Sequence, residues 1–531
     1  MRSYSITLKD GFKGGLRAVQ SISRNTGVLI DGMNCAATKT GIEGYSPDIE
    51  NMPNIYDSTG ALIDFSVKWP FPQLFQTDTG LYIGNQVGLY QIAYDVTYGY
   101  VGTLLTDGYT GGITWPWTFA NCPGFPMFTS GDILVYYDND TSAWVWWAKG
   151  VGGSAGSVWD SDWYQPVSIC YNRGQIVAAG SKVHTTYPSQ NREIKWSKIG
   201  TAKFLVTPTT HDEMLDAMSN TAGGMFEGSD DYGIILRVLP LDRGFIVYST
   251  FSIFALIPVA EPVPAFSILP LLDVGIANPL AVGGPIKGEA AGKQLFVDRL
   301  GVLWAISSIA DQKGKSLTPT RLGYEEFLKP LQDDCSIANG TGLISISYNP
   351  YKDEYYISNG QKSYVYNGVG MTPIDKCITS MVDFQKAQVT TGFHYTTLQD
   401  AAYGYYYTLF NSSNFLVVTD VIDFRMSARK TMETIHLGIN IPEGATCEVM
   451  VEWRNAKNKQ FQKTPWKRVS PEGVVSPLVT AVEFRLWIKC SDWDGVELSD
   501  VTLLWKLVDR NGIRGAYASG PSAGTDSGTL G

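Results

Sequence analysis

Short apolar runs separated by small polar turns fill the middle of the chain. GLYIGN (80–85) is followed by GLYQI (88–92), and GDILVYYD (131–138) by SAWVWWA (142–148). GQIVAAG (174–180) precedes REIKWSKI (192–199), and GFIVYST (244–250) runs into FSIFALI (251–257). GKQLFVD (292–298) with GVLWAIS (301–307), DEYYIS (353–358) with SYVYN (363–367), and a weaker GYYYTLF (404–410) with FLVVTD (415–420) complete the series. Each pair is rich in β-branched and aromatic residues about a Gly, Asn or Asp turn, which predicts an antiparallel hairpin. Several copies recur at a spacing of roughly fifty residues, and such a period in strand-rich sequence predicts propeller blades. One hairpin cannot bury its own faces, so neighbouring copies must stack about a common centre. The expectation is an all-β chain with a β-propeller of six to eight blades over residues 61–420. The alternative is a set of unrelated hairpins gathered in one large β-sandwich.

The pattern changes on either side. Residues 421–512 alternate apolar and polar positions in VIDFRMS, ETIHLGINI, CEVMVEWRN, KTPWKRVS, AVEFRLWIKC and VTLLWKLVD, broken by PEG and DWDG. That alternation predicts a compact C-terminal β-sandwich. Residues 1–60 read as an N-terminal extended arm ending in a strand pair, with Lys9, Phe12, Lys13 and Arg17 as its candidate contact residues. Residues 513–531 are small and polar, which predicts a flexible tail. Helical periodicity is confined to YEEFLKPLQ (324–332), where Pro330 interrupts it.

Charge narrows the function. The 531 residues carry a net charge of −10, whereas a simple nucleic-acid binder is basic. The imbalance is local, because residues 421–515 hold 14 basic and 12 acidic residues and are mildly basic. Seven widely spaced cysteines with no C-x-x-C pattern argue against a disulfide framework or zinc site and fit a reducing compartment. MRSYSITLKDG lacks the apolar core of a signal peptide. No apolar run of about twenty residues escapes Pro or charge, so no stable membrane insertion is expected.

Candidate chemistry is sparse. His184, His211, His394 and His436 stand apart from one another and from cysteine, so no metal site is expected. Gly152–Gly156 matches G-x-S-x-G around Ser154, but the nucleophile elbow needs a strand before it and a helix after it, not a Gly/Ser loop. GKS at 314–316 lacks the earlier glycine of a phosphate loop. The turn acids Asp138, Asp140, Asp160, Asp162, Asp230 and Asp231 form no repeated pair, as a glycosidase requires. VDRLGVLW (297–304) spaces Asp298 and Gly301 one residue too far apart for a sialidase Asp-box, and DWDG (492–495) lacks the later ligands of an EF-hand. No enzyme activity and no cofactor are expected. A propeller glycosidase or depolymerase and a carbohydrate-binding propeller are the alternatives.

The order of parts resembles a known family. GFKGGLRAVQSISRNTGVLIDGMN (11–34) is similar to the opening of many short-tailed phage tail proteins. EIKWSKIG (193–200), the run from GIANPLAVGG to QLFVDRLGVLW (275–304), ISYNPYKDEYYIS…SYVYN (346–367) and VEWRNAKNKQFQKTPWKRVS…VEFRLWIKC…GVELSDVTLLWK (451–506) resemble later segments. The family is the phage tail nozzle, also called tail tubular protein B or packaged-DNA stabilisation protein. The resemblance covers most of the chain through structural glycines, aromatics and strand ends, and no catalytic motif defines the family. It implies a β-propeller with added β-domains, and a homohexamer below the tail adaptor (the head-to-tail connector). It further implies a neighbouring tail fibre, spike or needle protein, and a lumen that retains and then passes double-stranded DNA non-specifically. The C-terminal domain would be the adaptor-facing platform. The protein would be made in the host cytoplasm and reside in the virion tail. Six copies would carry roughly −60 charges, a wall along which duplex slides rather than sticks.

One stretch departs from that acidity. Trp453–Arg468 holds Arg454, Lys457, Lys459, Lys463, Lys467 and Arg468 and no acid, interleaved with Trp453, Phe461 and Trp466. Alternation puts part of the set on one face, with NAKNKQ (455–460) as a turn. The patch either contacts DNA phosphates, docks on an acidic surface of the adaptor or a neighbouring subunit, or is a solvated hairpin balanced by Glu448, Glu452 and Glu483. Docking is the preferred reading, because so many charges repeated around a lumen would grip duplex and stall its passage.

Overall fold

The computed structural model describes residues 3–8 and, with breaks, 29–508; the longest breaks are 64–70, 205–223, 336–342 and 396–402. The chain is all-β, built of many small antiparallel sheets. Among the described residues the one α-helix is Glu325–Asp333, with Pro330 inside it. The chain forms two compact units. One comprises residues 1–47, 366–375 and 410–531, and the other residues 48–365 and 376–409. These boundaries differ from the expected breaks at 60, 420 and 512. A six-residue strand has no partner of its own, and Ser3–Leu8 finds one in Val501–Leu507, so the amino-terminal segment folds with the carboxy-terminal one. The remainder of the expected arm, with Lys9, Phe12, Lys13 and Arg17, lies outside the described residues, as does the expected tail.

In the larger unit the described strands form seven sheets in chain order. Counted across each sheet from one edge, their first strands are Gln73–Thr77, Thr118–Ala120, Pro166–Asn172, Ile235–Leu241, Val282–Gly283, Ser345–Asn349 and Cys377–Phe384. Six of the seven expected hairpins are central strand pairs of these sheets. The seventh is not a hairpin. Tyr403–Thr408 pairs with Val389–Tyr395 on one edge and with Asp48–Asn51, from far upstream, on the other. Phe415–Thr419 belongs to the smaller unit, between Leu29–Met33 and Glu483–Ser491. Its Phe415, Val417 and Val418 are buried, as suits a central strand with a partner on both edges.

Four of the central hairpin turns are held by their first polar residue. Asn85 Oδ1 accepts the N–H of Val87 and Gly88. Ser249 Oγ accepts those of Phe251 and Ser252, and Asn359 Oδ1 those of Gln361 and Lys362. Asp298 Oδ1 accepts those of Leu300 and Val302, while its Oδ2 takes Trp304 Nε1 at 2.9 Å. Gly301 in that turn has φ +81°, and a Cβ there would lie 2.6 Å from the Lys329 Cα, so glycine is required twice over.

Sheets join through apolar faces and a few aimed hydrogen bonds. Phe75, Tyr82 and Leu89 of the first pack on Trp117, Phe119 and Phe128 of the second. Leu134 and Tyr136 of the second meet Ile169 and Ile176 of the third, whose Val177 and Trp196 meet Val238 and Phe254 of the fourth. Ile246 and Tyr248 of the fourth meet Phe296 and Ile306 of the fifth. Tyr355 of the sixth donates to the Lys293 carbonyl of the fifth at 2.6 Å, and Ser347 of the sixth donates to the Ile378 carbonyl of the seventh. Cys377 and Val382 of the seventh pack on Leu74 and Leu81 of the first. Three of these joints share one device, a hydroxyl accepting a first-strand N–H: Leu74 to Ser380, Ile169 to Thr118 and Val238 to Ser168, at 2.9–3.0 Å.

The smaller unit has two larger sheets and a small one. Ser3–Leu8, Val501–Leu507 and Lys430–Leu437 run side by side in the first, with Val474–Val475 and Val479–Ala481 at its edge. Leu29–Met33, Phe415–Thr419, Glu483–Ser491 and Thr446–Arg454 form the second, whose edge carries Gln462–Lys463 and Lys467–Arg468. Strict alternation buries Val501, Leu503, Trp505 and Leu507 on one face. The Phe424 ring touches Trp505 of the first sheet and Phe484 of the second. Beside it Lys430 is fully buried, donating to the carbonyls of Asp423 and Met426 at 2.6 Å each.

Two outcomes follow from these contacts. Ser168→Ala leaves the buried Val238 N–H without its acceptor, so stability falls by about 1–3 kcal/mol, read as a lower denaturation midpoint. Burial pushes the Lys430 ammonium down to about 8. The unfolded chain then holds more protons above that pH, so this group adds stability as pH rises from about 8 towards the ordinary lysine value. Lys430→Met removes that rise in a melting series across the same pH window.

Candidate docking face

The basic stretch is built as the alternation predicts. Thr446–Arg454 ends in a turn at 455–460, closed by Lys459 N–H to the Ala456 carbonyl at 3.0 Å, and the chain returns along it as Gln462–Lys463 and Lys467–Arg468. The other neighbour of Thr446–Arg454 is Glu483–Ser491, in a register that sets Arg454 opposite Glu483, Glu452 opposite Arg485 and Glu448 opposite Lys489. Period-two alternation places all six on one face.

On that face the charges are largely matched within the sheet. Arg454 Nε bonds Glu483 at 2.5 Å, and the Glu483 side chain is 1% exposed. Glu452 holds both Lys463 and Arg485 at 3.2 Å, and Glu448 holds Lys489 at 2.7 Å. The cations also cap aromatic rings. Arg454 and Arg485 lie 4.5 and 4.6 Å from the centroid of Phe461. Lys463 lies 4.4 Å from Trp487, and Lys489 lies 4.8 Å from Trp466. Rings and cations at these separations attract through the ring quadrupole. Lys467 turns back to donate to the carbonyls of Ser476 and Pro477.

The six cations therefore do not form one patch. Arg454, Lys463 and Lys467 are bonded within the sheet, Lys463 while still 53% exposed, whereas Lys457 and Lys459 are exposed on the turn and Arg468 is exposed on the return strand. Trp453, opposite Phe484, points to the other face from Arg454. Lys467 and Arg468 border an open groove of about 910 Å³, with Glu443, Pro471 and Val475 among its other walls. Sequence reasoning missed Arg485, Trp487 and Lys489. Their signal was the 483/485/487/489 alternation, whose charges complement 454/452/448 only once the strand register is known.

The other candidates are scattered. His184 stacks on Tyr164 with ring centroids 3.4 Å apart, and burial, with the nearby Lys182 and Lys149, lowers its pKa. His436 is exposed on Lys430–Leu437, and His394 lies on Val389–Tyr395. GKS 314–316 lies in the strand Gly314–Gly323. Ser154, His211 and DWDG 492–495 lie outside the described residues. Turn acids are engaged locally. Asp138 accepts Asp140 N–H and the Thr141 hydroxyl, Asp160 accepts Asp162 N–H, and Asp230 pairs with Arg192. Asp57 and Asp95 are held below the usual carboxylate range, Asp57 chiefly by the Thr59 hydroxyl and Asp95 by the Thr97 N–H. Among the described residues no group of three or more His, Cys, Asp or Glu is placed to hold a metal ion.

Glu483→Gln breaks a buried pair and destabilises the smaller unit by about 3–5 kcal/mol. Lys457→Glu and Lys459→Glu, exposed on a turn, each change stability by less than about 0.5 kcal/mol. Chemical denaturation of the three variants measures the contrast.

No protein-family model matches the sequence, and no curated protein matches it. Among solved structures the chain is similar to PorZ, a bacterial surface component of the type-IX secretion system of Porphyromonas gingivalis. The identity is 8% and the TM-score 0.35, covering 74% of this chain and 44% of that one. It is also similar to the extracellular domain of the one-component system BT4673 from B. thetaiotaomicron, with 10% identity and TM-score 0.37, covering 94% of this chain and 62% of that one. The chain thus spans less than two thirds of the length of each of these structures.

Proposed function

We propose that the chain is a structural virion protein, the tail nozzle of a short-tailed phage. In this reading the seven sheets are the blades of a closed β-propeller, and Asp48–Asn51 is the strand that completes the last blade. The paired sheets of the smaller unit are the β-sandwich that faces the tail adaptor. The observation that carries the reading is the packing of the seventh sheet on the first, with a strand from before the first blade finishing the seventh. Together with a second β-unit drawn from both ends of the chain, this is the architecture that the resemblance implies. A homohexamer below the adaptor would then retain packaged DNA and open the path for its ejection, with a fibre, spike or needle protein as the distal partner.

Docking on the adaptor or a neighbouring copy falls to Lys457, Lys459 and Arg468, the exposed cations outside the ladder's ion pairs. A rim of exposed charges steers encounter and sets specificity more than it sets affinity. The glycosidase alternative needs two carboxylates free to exchange protons. Asp138, Asp160 and Asp298 instead serve as acceptors for the turns they begin, which supports a structural role.

The test uses virions that carry the chain. Immunogold labelling should mark the tail, and mass photometry of the chain extracted with its tail should give a particle near six times the 58.3 kDa chain mass. A Lys457→Glu/Lys459→Glu double variant should stay folded and fail to join tails. Labelling absent from the tail, or turnover of a polysaccharide by the purified chain, would overturn the reading. Normal joining by the double variant, with DNA leakage, would move these lysines to the lumen.

A further inference from the structure

Two cysteines far apart in sequence face each other inside the smaller unit. Cys447 on Thr446–Arg454 and Cys490 on Glu483–Ser491 are direct cross-strand partners. Each is 1% exposed, both are free thiols, and their sulfurs are 3.4 Å apart. The strand edges make the pairing more specific. The Cys447 carbonyl accepts Val469 N–H at 2.8 Å on the opposite edge of its strand. Since the N–H and C=O of one residue point to the same side, Cys447 and Cys490 form a non-hydrogen-bonded pair. At such positions the two backbones approach most closely, with Cα atoms about 4.5 Å apart. That separation lies within the range a disulfide spans, so closure needs side-chain rotation and little backbone movement.

We propose that Cys447 and Cys490 are a latent redox pair, which a peroxide-class oxidant closes to a cross-strand disulfide locking the two central strands of this sheet. In the first step one thiol gives up its proton, the thiolate attacks the peroxide, the O–O bond breaks, and a sulfenic acid forms while the released hydroxide takes up that proton as water. In the second the other thiol, losing its proton, attacks the sulfenic sulfur, the S–O bond breaks, and hydroxide leaves with that proton as water. Two thiols and one hydrogen peroxide give one disulfide and two waters. Burial pushes the Cys490 thiol far above its ordinary value, so the reaction at neutral pH is slow and the pair stays reduced in a reducing cytoplasm. The inference stands on the strand register and does not depend on the proposed virion role.

The experiment is peroxide treatment of the full chain, blocking of residual thiols in denaturant, and peptide mapping by mass spectrometry. The expected product is one cross-linked peptide joining 447 and 490, with a loss of two hydrogens and a higher melting temperature. Cys447→Ser and Cys490→Ser should each abolish the linked peptide and the melting shift. Cys335, the one half-buried cysteine, should be modified without forming that link. Treatment is repeated in urea below the unfolding transition, so that slow access is separated from unsuitable geometry. Absence of the 447–490 link under both conditions, or a link from either residue to another cysteine, overturns the proposal. If both serine variants misfold, the wild-type peptide map alone decides.

Discussion

A sheet of four short strands has two open edges, and its first strand here is buried, so unpaired donors on that edge cannot turn to water. The larger unit depends on meeting this constraint. Backbone N–H groups at Leu74, Ile169 and Val238 are answered by hydroxyls of Ser380, Thr118 and Ser168, each from an adjoining sheet. A buried donor without an acceptor costs about as much as a whole side-chain contact gains. These small polar residues therefore hold neighbouring sheets in register, while the apolar faces between them supply most of the burial. The joint is directional where the apolar packing is not. Gln294 does the same work between the fourth and fifth sheets, accepting from the Tyr248 hydroxyl and donating to the Pro240 carbonyl.

The smaller unit meets the same problem with charge. Its second sheet leaves one face polar, and the strands there set Glu opposite Arg or Lys three times, with Met450 opposite Trp487 between the first pair and the other two. Cross-strand pairs of opposite charge reinforce one register, because a slip by one residue would flip every side chain to the other face. Phe461, Trp466 and Trp487 lie among these cations and take up their hydrocarbon stems as well as their charge. Lys430 marks the other extreme. It is a cation buried between carbonyls beside Phe424, and its position is tolerated because its donors are used.

Local features were legible in the sequence and long-range ones were not. The hairpins could be read because a turn such as Asn85–Gly88 or Asp298–Val302 writes its geometry in adjacent residues. The basic hairpin was legible for the same reason, down to its turn at 455–460. The partner of Ser3–Leu8 was not, because Ser3 pairs with Lys506 and nothing in either strand encodes the distance between them. Asp48–Asn51 failed for the same reason, and Phe415–Thr419 was misassigned because an apolar run fits a hairpin arm and a central strand equally well. The apposition of Cys447 and Cys490 needed the register too, since wide spacing along the chain says nothing about spacing across a sheet.

Register also changes what a basic stretch means. Six cations without an acid between Trp453 and Arg468 look like a surface for phosphates when only the window is read. The neighbouring strand and the hairpin's own base bring Glu448, Glu452 and Glu483 against that window, and much of the charge is satisfied before any partner arrives. What remains on the turn, Lys457 and Lys459, is small for one chain, and exposed ion pairs contribute about 0–1 kcal/mol each. A weak contact gains force by repetition. In the proposed ring of six, the same turn recurs at fixed positions, and once one copy engages, the others bind at high effective concentration. In that proposed ring, a matched ladder beneath an exposed turn keeps each contact weak and lets their number set the strength.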